Sequence, residues 1–332
     1  MIRVGRVASP GVVDFLTREV PELTGDQVLI AIRASAICGS DLHIFKGRHP
    51  SVSLPATIGH EFSGVIEKVG ANVTRVSVGD RVCVEPVVVC GMCVACRHGD
   101  YGYCENISFT YRMGDGAMAD YVKVHEPYVY RLPDNMSFAT GALVEPLAVA
   151  VHATRRADVK LGDRVAVFGG GAIGVLIAAL SRRFGAAEVT VVDFDDPRLD
   201  LARSFGATRV LNPQHDDVLD QLDRIDKSFE CVGVPDTLRQ AMLCLRKNGL
   251  ATVVGIAEVT DVAIPVSRFI THEIKVQGSQ GYCWDFPTAL ACAQELEIER
   301  LITHTFSLDE LQIALDTCLN RASDVLKVII EP

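Results

Sequence analysis

No stretch of the sequence strings together ~18 uncharged apolar residues, the length a helix needs to cross the hydrocarbon of a bilayer, so an ordinary membrane-spanning helix is excluded. Basic residues are also short. Against 42 Asp and Glu stand 32 Lys and Arg, a net charge of -10, and the clustered positive footprint that displaces counterions from a nucleic acid is missing. Tandem repeats and low-complexity tracts are absent, and a chain 48% apolar and 22% charged is suited to a packed core rather than to disorder. Residues 1–10, MIRVGRVASP, lack the apolar centre of a signal peptide, and eleven cysteines, an odd number, do not make a disulfide framework. The expectation is a cytoplasmic protein that acts on small molecules, with neither a nucleic acid nor a membrane as partner, and whose cysteines serve as thiols or metal ligands. At 332 residues the chain outgrows one hydrophobic core, and two domains are expected.

What the sequence does hold is metal-ligand chemistry. Residues 90–104, CGMCVACRHGDYGYC, set Cys90, Cys93, Cys96 and Cys104 at C-x2-C-x2-C-x7-C. Thiolates so spaced can grip one tetrahedral ion from a tight turn, with Gly91 and Gly99 supplying backbone freedom and Cys104 closing the loop. Zinc is the first candidate. An iron–sulfur cluster is the rival, since C-x2-C-x2-C also opens the bacterial ferredoxin run. That run continues C-x3-C-P, whereas here seven residues intervene and Glu105 comes next. Four thiolates leave no position open to substrate, so this site is expected to brace a lobe while the chemistry lies elsewhere.

A second group fits that need. AICGSDLHIF (36–45) and IGHEFSG (58–64) place Cys38, His43, His60 and Glu61 within 24 positions, and LVEPLAVAVHA (143–153) carries Glu145 in an apolar run, where a buried carboxylate is costly unless paired or metal-bound. Each residue also has a plain structural reading: Cys38 as a small buried hydrophobe, His60 as a satisfied core histidine, Glu145 as an acid at a helix start before Pro146.

From Leu161 onward short apolar runs alternate with helical stretches, the rhythm of a parallel sheet. RVAVFGGGAIGVLIAALSRRFGA (164–186) reads as strand, glycine turn and helix. Gly169, Gly171 and Gly174 fit G-x-G-x-x-G, in which the first glycine makes the turn, the second admits a pyrophosphate, and the third lets helix pack on strand. The phosphates would meet the positive end of the helix. The next strand, EVTVVD, ends in Asp193, placed to accept hydrogen bonds from the ribose of NAD and to repel a 2'-phosphate, with Asp195 and Asp196 adding to that field. NAD is therefore expected over NADP. Further helices are expected at 198–207 and 236–249 and strands at 227–233, 250–255 and 273–279, a six-stranded Rossmann sheet. Ahead of it, DQVLIAIR (26–33) and FSGVIEKVG (62–70), with the turn VGDRV (78–82), suggest a compact β-barrel.

CGSDLH, GHE, the four-cysteine loop and VEPLAVAVHA, in this order ahead of a dinucleotide fold, together resemble the zinc-dependent medium-chain dehydrogenases of the alcohol dehydrogenase superfamily, most of all their polyol (sorbitol-type) and threonine dehydrogenase branch. The resemblance spans nearly the whole chain. It implies an α/β protein with a GroES-like catalytic domain (1–147 and 279–332) around a Rossmann domain (148–278), with substrate in the cleft between them. It implies that Cys38 and His60 hold a catalytic zinc together with Glu61, Glu145 or each in turn, and that the four-cysteine zinc, lost in several sorbitol dehydrogenases, is kept here. Ser40 falls where the family places the hydroxyl that takes the substrate proton, His43 where a relay passes it on, and Asp41 where a carboxylate orients the zinc-bound histidine. Arg198 matches a residue beside the adenine, though it also reads as a solvated first-turn residue. The implied reaction is NAD-linked oxidation of a secondary alcohol on a polyol, sugar acid, sugar alcohol or inositol, with threonine 3-dehydrogenase-like activity or a non-catalytic NAD(H)-binding regulator as alternatives. A reductase of activated double bonds is disfavoured, since those relatives dispense with zinc. Phe45, Lys46, Arg48 and His49 are candidate pocket residues, the two cations able to meet a substrate carboxylate. Relatives form dimers or tetramers, so a homo-oligomer, with the tetramer favoured, is expected.

Overall fold

The computed structural model describes every residue except Glu258, Thr260 and residues 321–324. The chain divides into two compact units, residues 1–145 with 286–332, and residues 146–285. It leaves the first unit after Glu145 and re-enters it at Phe286, where the sequence suggested 147 and 279.

The first unit is built on Gln27–Ala36, a strand buried along nearly its whole length because neighbours cover it on every side. It pairs antiparallel with Glu61–Val69, with Tyr121–His125 and with Lys327–Glu331. The sheet runs in the order Val129–Arg131, Arg81–Val84, Glu61–Val69, Gln27–Ala36, Lys327–Glu331, Ile302–Ser307. The last strand of the chain thus lies in the sheet of the first unit. Val28, Ile30, Ile32, Phe62, Ile66 and Val82 fill the interior between these strands. A second apolar cluster pins the short helix Gly39–Phe45: Ile44 and Phe45 pack with Leu311 and Leu315 of the helix Leu311–Asn320 and with Val328 and Ile330 of the last strand.

The second unit is a parallel sheet in the order Arg209–Leu211, Glu188–Val192, Arg164–Phe168, Ile225–Glu230, Leu245–Val253, Lys275–Gly278. That is the 3-2-1-4-5-6 order of a Rossmann sheet. Val165, Ala166, Val167 and Phe168 are all fully buried, the continuous apolar run of a strand covered on both faces. One expected helix is shorter than read: instead of spanning 236–249 it covers Pro235–Leu243, and Leu245 is already paired with Ile225. The apolar rhythm of CLRKNG belongs to a strand whose register breaks between Ile225 and Lys227, with Asn248 at φ 59° in the excursion. No helix among the described residues is long and apolar enough to cross a membrane.

Candidate active site

The central strand of the first unit ends at Ala36, where its two neighbours fix the direction in which the chain leaves. Ala36 pairs with Glu61 on one side and with Ile329 on the other. Cys38 then starts the helix Gly39–Phe45, and its backbone N–H donates to Asp41 Oδ2 at 2.9 Å. Asp41 Oδ1 accepts from Gly59 N at 3.0 Å and lies 3.6 Å from His60 Nδ1. This fully buried carboxylate therefore ties the helix start to the segment that carries His60 and Glu61. The ligand atoms of Cys38, His60 and Glu61 all lie within 4.8 Å of one another. Burial opposes charge on His60, but Asp41 and Cys38 override it and raise the imidazole well above its usual pKa. Sulfur, nitrogen and oxygen donors together suit zinc rather than the oxygen-seeking calcium or magnesium, and His60 Nδ1, turned to Asp41, leaves Nε2 for the metal. Glu145, 5% exposed at the start of the helix Val144–Arg156, stands outside this group of three.

Ser40 Oγ is 3.5 Å from His60 Nε2, and His43 lies one turn further along the same helix. His49 joins them: desolvation, then Arg112 and His43, lower its pKa. Of the pocket candidates, Phe45 is fully buried in the apolar cluster, because its position on the helix faces the core, whereas Arg48 is exposed. Sequence reasoning missed Tyr111, whose ring lies 5.3 Å from that of His60, and Arg112, which covers Phe109 and Tyr111. It also missed Lys327. This lysine, 5% exposed, donates to both oxygens of Glu61 at 2.6 and 2.5 Å and to Ile37 O at 3.4 Å. Burial alone would lower its pKa, but Glu61, then Cys38 and more weakly Glu145, raise it. No local pattern links residue 327 to residue 61.

The four-cysteine loop folds around a short helix, Val94–Arg97, and the turn Tyr101–Tyr103. The ligand atoms of Cys90, Cys93, Cys96 and Cys104 lie within 4.8 Å of one another, and all eleven cysteines are free of disulfides. Cys104 Sγ and Cys90 Sγ are 3.6 Å apart, near the ~3.8 Å edge of a tetrahedron with 2.3 Å zinc–sulfur bonds. Backbone N–H groups of Met92 and Cys93 hold Cys90 down to about 6, whereas desolvation and the neighbouring thiols push Cys96 up to about 12. The arrangement of the four sulfurs fits one tetrahedral cation. Buried Glu85 anchors the lobe by accepting from Tyr101 Oη at 2.6 Å and Tyr130 Oη at 3.0 Å.

In the second unit the three glycines differ as their roles demand. Gly169 sits at φ 107°; a Cβ on Gly174 would lie 1.9 Å from Gly169 O; a Cβ on Gly171 would meet nothing within 4 Å. The open space lies at the start of the helix Ala172–Arg183, where free amides favour a phosphate. Asp193 accepts from Gly170 N at 2.7 Å and from Asp195 N at 3.0 Å, so its carboxylate is fixed beside the turn. Arg198, in the first turn of the helix Asp196–Ser204, stands beside Gly170. These residues fit a dinucleotide.

Residues 24–134 match the alcohol dehydrogenase GroES-like domain family and residues 172–295 the zinc-binding dehydrogenase family. The chain is 34% identical over 328 residues to a sorbitol dehydrogenase of Bacillus subtilis, covering 95% of this chain and 93% of that one. It is 33% identical over 340 residues to a D-xylulose reductase of Saccharomyces cerevisiae, covering 97% and 95%. A solved structure from Sinorhizobium meliloti, assigned as a zinc-binding dehydrogenase and bound to NADP, superposes with a TM-score of 0.94 at 30% identity, covering 100% of this chain and 99% of that one. Its fold, its two ligand clusters and these matches along almost its full length make the chain a member of the zinc-binding medium-chain dehydrogenases, an oxidoreductase family within the alcohol dehydrogenase superfamily.

Proposed function

We propose that this chain oxidises a secondary hydroxyl of a polyol-like substrate to the ketone with NAD, using zinc held by Cys38, His60 and Glu61. The observation that carries this is the meeting of those three side chains, from two separate segments, within 4.8 Å in a chain that also has a complete dinucleotide turn. When bound, zinc acidifies the substrate hydroxyl and the dinucleotide accepts a hydride. The residues do the rest. Asp41 orients His60; Ser40 takes the hydroxyl proton; His43 hands it to solvent; Glu145 is held in reserve as an alternative acid. The four cysteines hold a second zinc that braces their lobe. Asp193 favours NAD, since its fixed carboxylate would repel a 2'-phosphate, and Arg198 flanks the adenosine half. The relatives are named for sorbitol and D-xylulose, which supports a polyhydroxylated substrate. Free thiols fit a cytoplasmic location. The strand Lys275–Gly278 closes one edge of the parallel sheet and suits pairing with a second copy, in keeping with a homo-oligomer, a tetramer being favoured.

The test is reduction of NAD or NADP across polyols, aldonic acids, inositols and threonine, with and without a zinc chelator. Turnover is expected with NAD on at least one polyol and is abolished by chelation. Cys38→Ser is expected to lower kcat by about 10^3-fold, the several kcal/mol a Lewis acid supplies, and to drop the zinc content from two to one per chain. Tight NADH binding with no turnover on any substrate would instead make the chain a regulator.

A further inference from the structure

Lys327 has no part in the proton path from Ser40 to His43, yet it is the most unusual charge in the first unit. It is 5% exposed, its ammonium reaches both oxygens of Glu61, and it also meets the backbone carbonyl of Ile37, next to Cys38. A buried cation beside a cation site is unfavourable unless the site needs it. Counting formal charges, a Cys38 thiolate and a Glu61 carboxylate cancel a divalent metal, so a site of these ligands and neutral His60 carries no net charge. Such a site pulls weakly on a substrate hydroxyl. Lys327 restores one positive charge, and it does so by taking electron density from the very carboxylate that would quench the metal.

We propose that Lys327 is a positioning residue that acts as the counter-charge of the catalytic metal site: it competes with the metal for Glu61, keeps that ligand loosely held, and so keeps the metal electrophilic and exchangeable. This rests on the placement of zinc at Cys38, His60 and Glu61. The alternative is a purely mechanical latch, in which Lys327 only fastens the strand Lys327–Glu331 against Gln27–Ala36. The two differ in sign. A latch, once lost, lets Glu61 wander and zinc leave faster; a counter-charge, once lost, lets Glu61 bind the metal harder and zinc leave more slowly.

The measurement is zinc transfer from the full-length, zinc-loaded protein to a chromophoric chelator, tracking the phase that Cys38→Ser removes. Lys327→Met is expected to slow that phase by about tenfold or more and to move the acid limb of kcat/KM to higher pH by about one unit, while Lys327→Arg stays close to the parent in both. Should Lys327→Met fail to fold with Glu61 left as a lone buried charge, Glu61→Gln is compared with Glu61→Gln/Lys327→Met, and the double variant is expected to release zinc more slowly. Release from Lys327→Met, or from the double variant, that is equal to or faster than from its reference overturns the proposal. Two zinc ions per chain retained in Cys38→Ser would overturn the placement of the metal itself, a separate failure.

Discussion

Asp41 shows how much one side chain can carry. Its carboxylate receives the backbone N–H of Cys38 and of Gly59 and faces His60, all without exposed surface. Asp41→Asn keeps the size but replaces one accepting oxygen with a donor that neither N–H can use. Zinc affinity at the Cys38 site is expected to fall about 10- to 100-fold, measured by competition with a chelator, while the four-cysteine site keeps its metal. Loss of the helix-start bond adds about 1 kcal/mol of destabilisation. At this scale the sequence was legible wherever ligands lay close together along the chain. Cys38, His60 and Glu61 are read from two motifs that begin 22 positions apart, and the structure brings them together. Lys327 was not legible, because its partner is 266 positions away and a lysine in a C-terminal strand has no signature of its own. Phe45 misled for a different reason: it stands next to the polar stretch Lys46–His49, and only its packing with Ile44, Leu311 and Ile330 reveals that it faces inward.

The glycine turn and its helix are an element-scale device, and two of its glycines can be told apart by experiment. A methyl group at Gly171 meets no protein atom within 4 Å, so Gly171→Ala is expected to fold with an unchanged melting temperature yet bind NADH at least about tenfold more weakly, because the added carbon would occupy the space a pyrophosphate needs at such a turn. A methyl group at Gly174 would collide with the carbonyl of Gly169 at 1.9 Å, so Gly174→Ala is expected to lose several degrees of melting temperature as well as NADH binding. Calorimetry and a fluorescence titration of the two variants separate the effects. Equal melting temperatures would contradict the packing role of Gly174. The turn was fully legible because its chemistry is local. The element after Leu243 was not: CLRKNG has a helix-ending look, but pairing of Leu245 with Ile225, fixed by the parallel sheet, overrides local preference.

At the scale of the whole molecule, the chain crosses between units at Glu145/Pro146 and again at Asp285/Phe286, and the second crossing is fastened from within the second unit. Asp285 accepts from His152 Nδ1 at 2.7 Å, Arg155 Nη1 at 2.8 Å and Cys283 N at 2.9 Å. Burial would raise its pKa, but these donors win and hold it below the usual carboxylate value. A depressed folded-state pKa means that the stabilisation is present above the unfolded value of about 3.9 and is lost as pH falls through the folded value. Asp285→Asn is thus expected to be less stable than the parent at pH 7 by about 1–3 kcal/mol, with the gap in urea midpoints closing below about pH 4. A gap that persists unchanged to pH 3 would assign the loss to shape rather than to charge.

The pairing of Lys327 with Glu61 also sets an order of events during synthesis. Cys38, His60 and Glu61 leave the ribosome together, while everything from residue 62 to residue 326, the whole of the second unit included, is translated before their cation partner exists. Over most of that interval the helix Gly39–Phe45 also lacks Leu311, Leu315, Val328 and Ile330, the residues that pin it. The helix that Cys38 starts therefore settles only when the last strand arrives, and Glu61 gains its cation in the same step that fixes its neighbour.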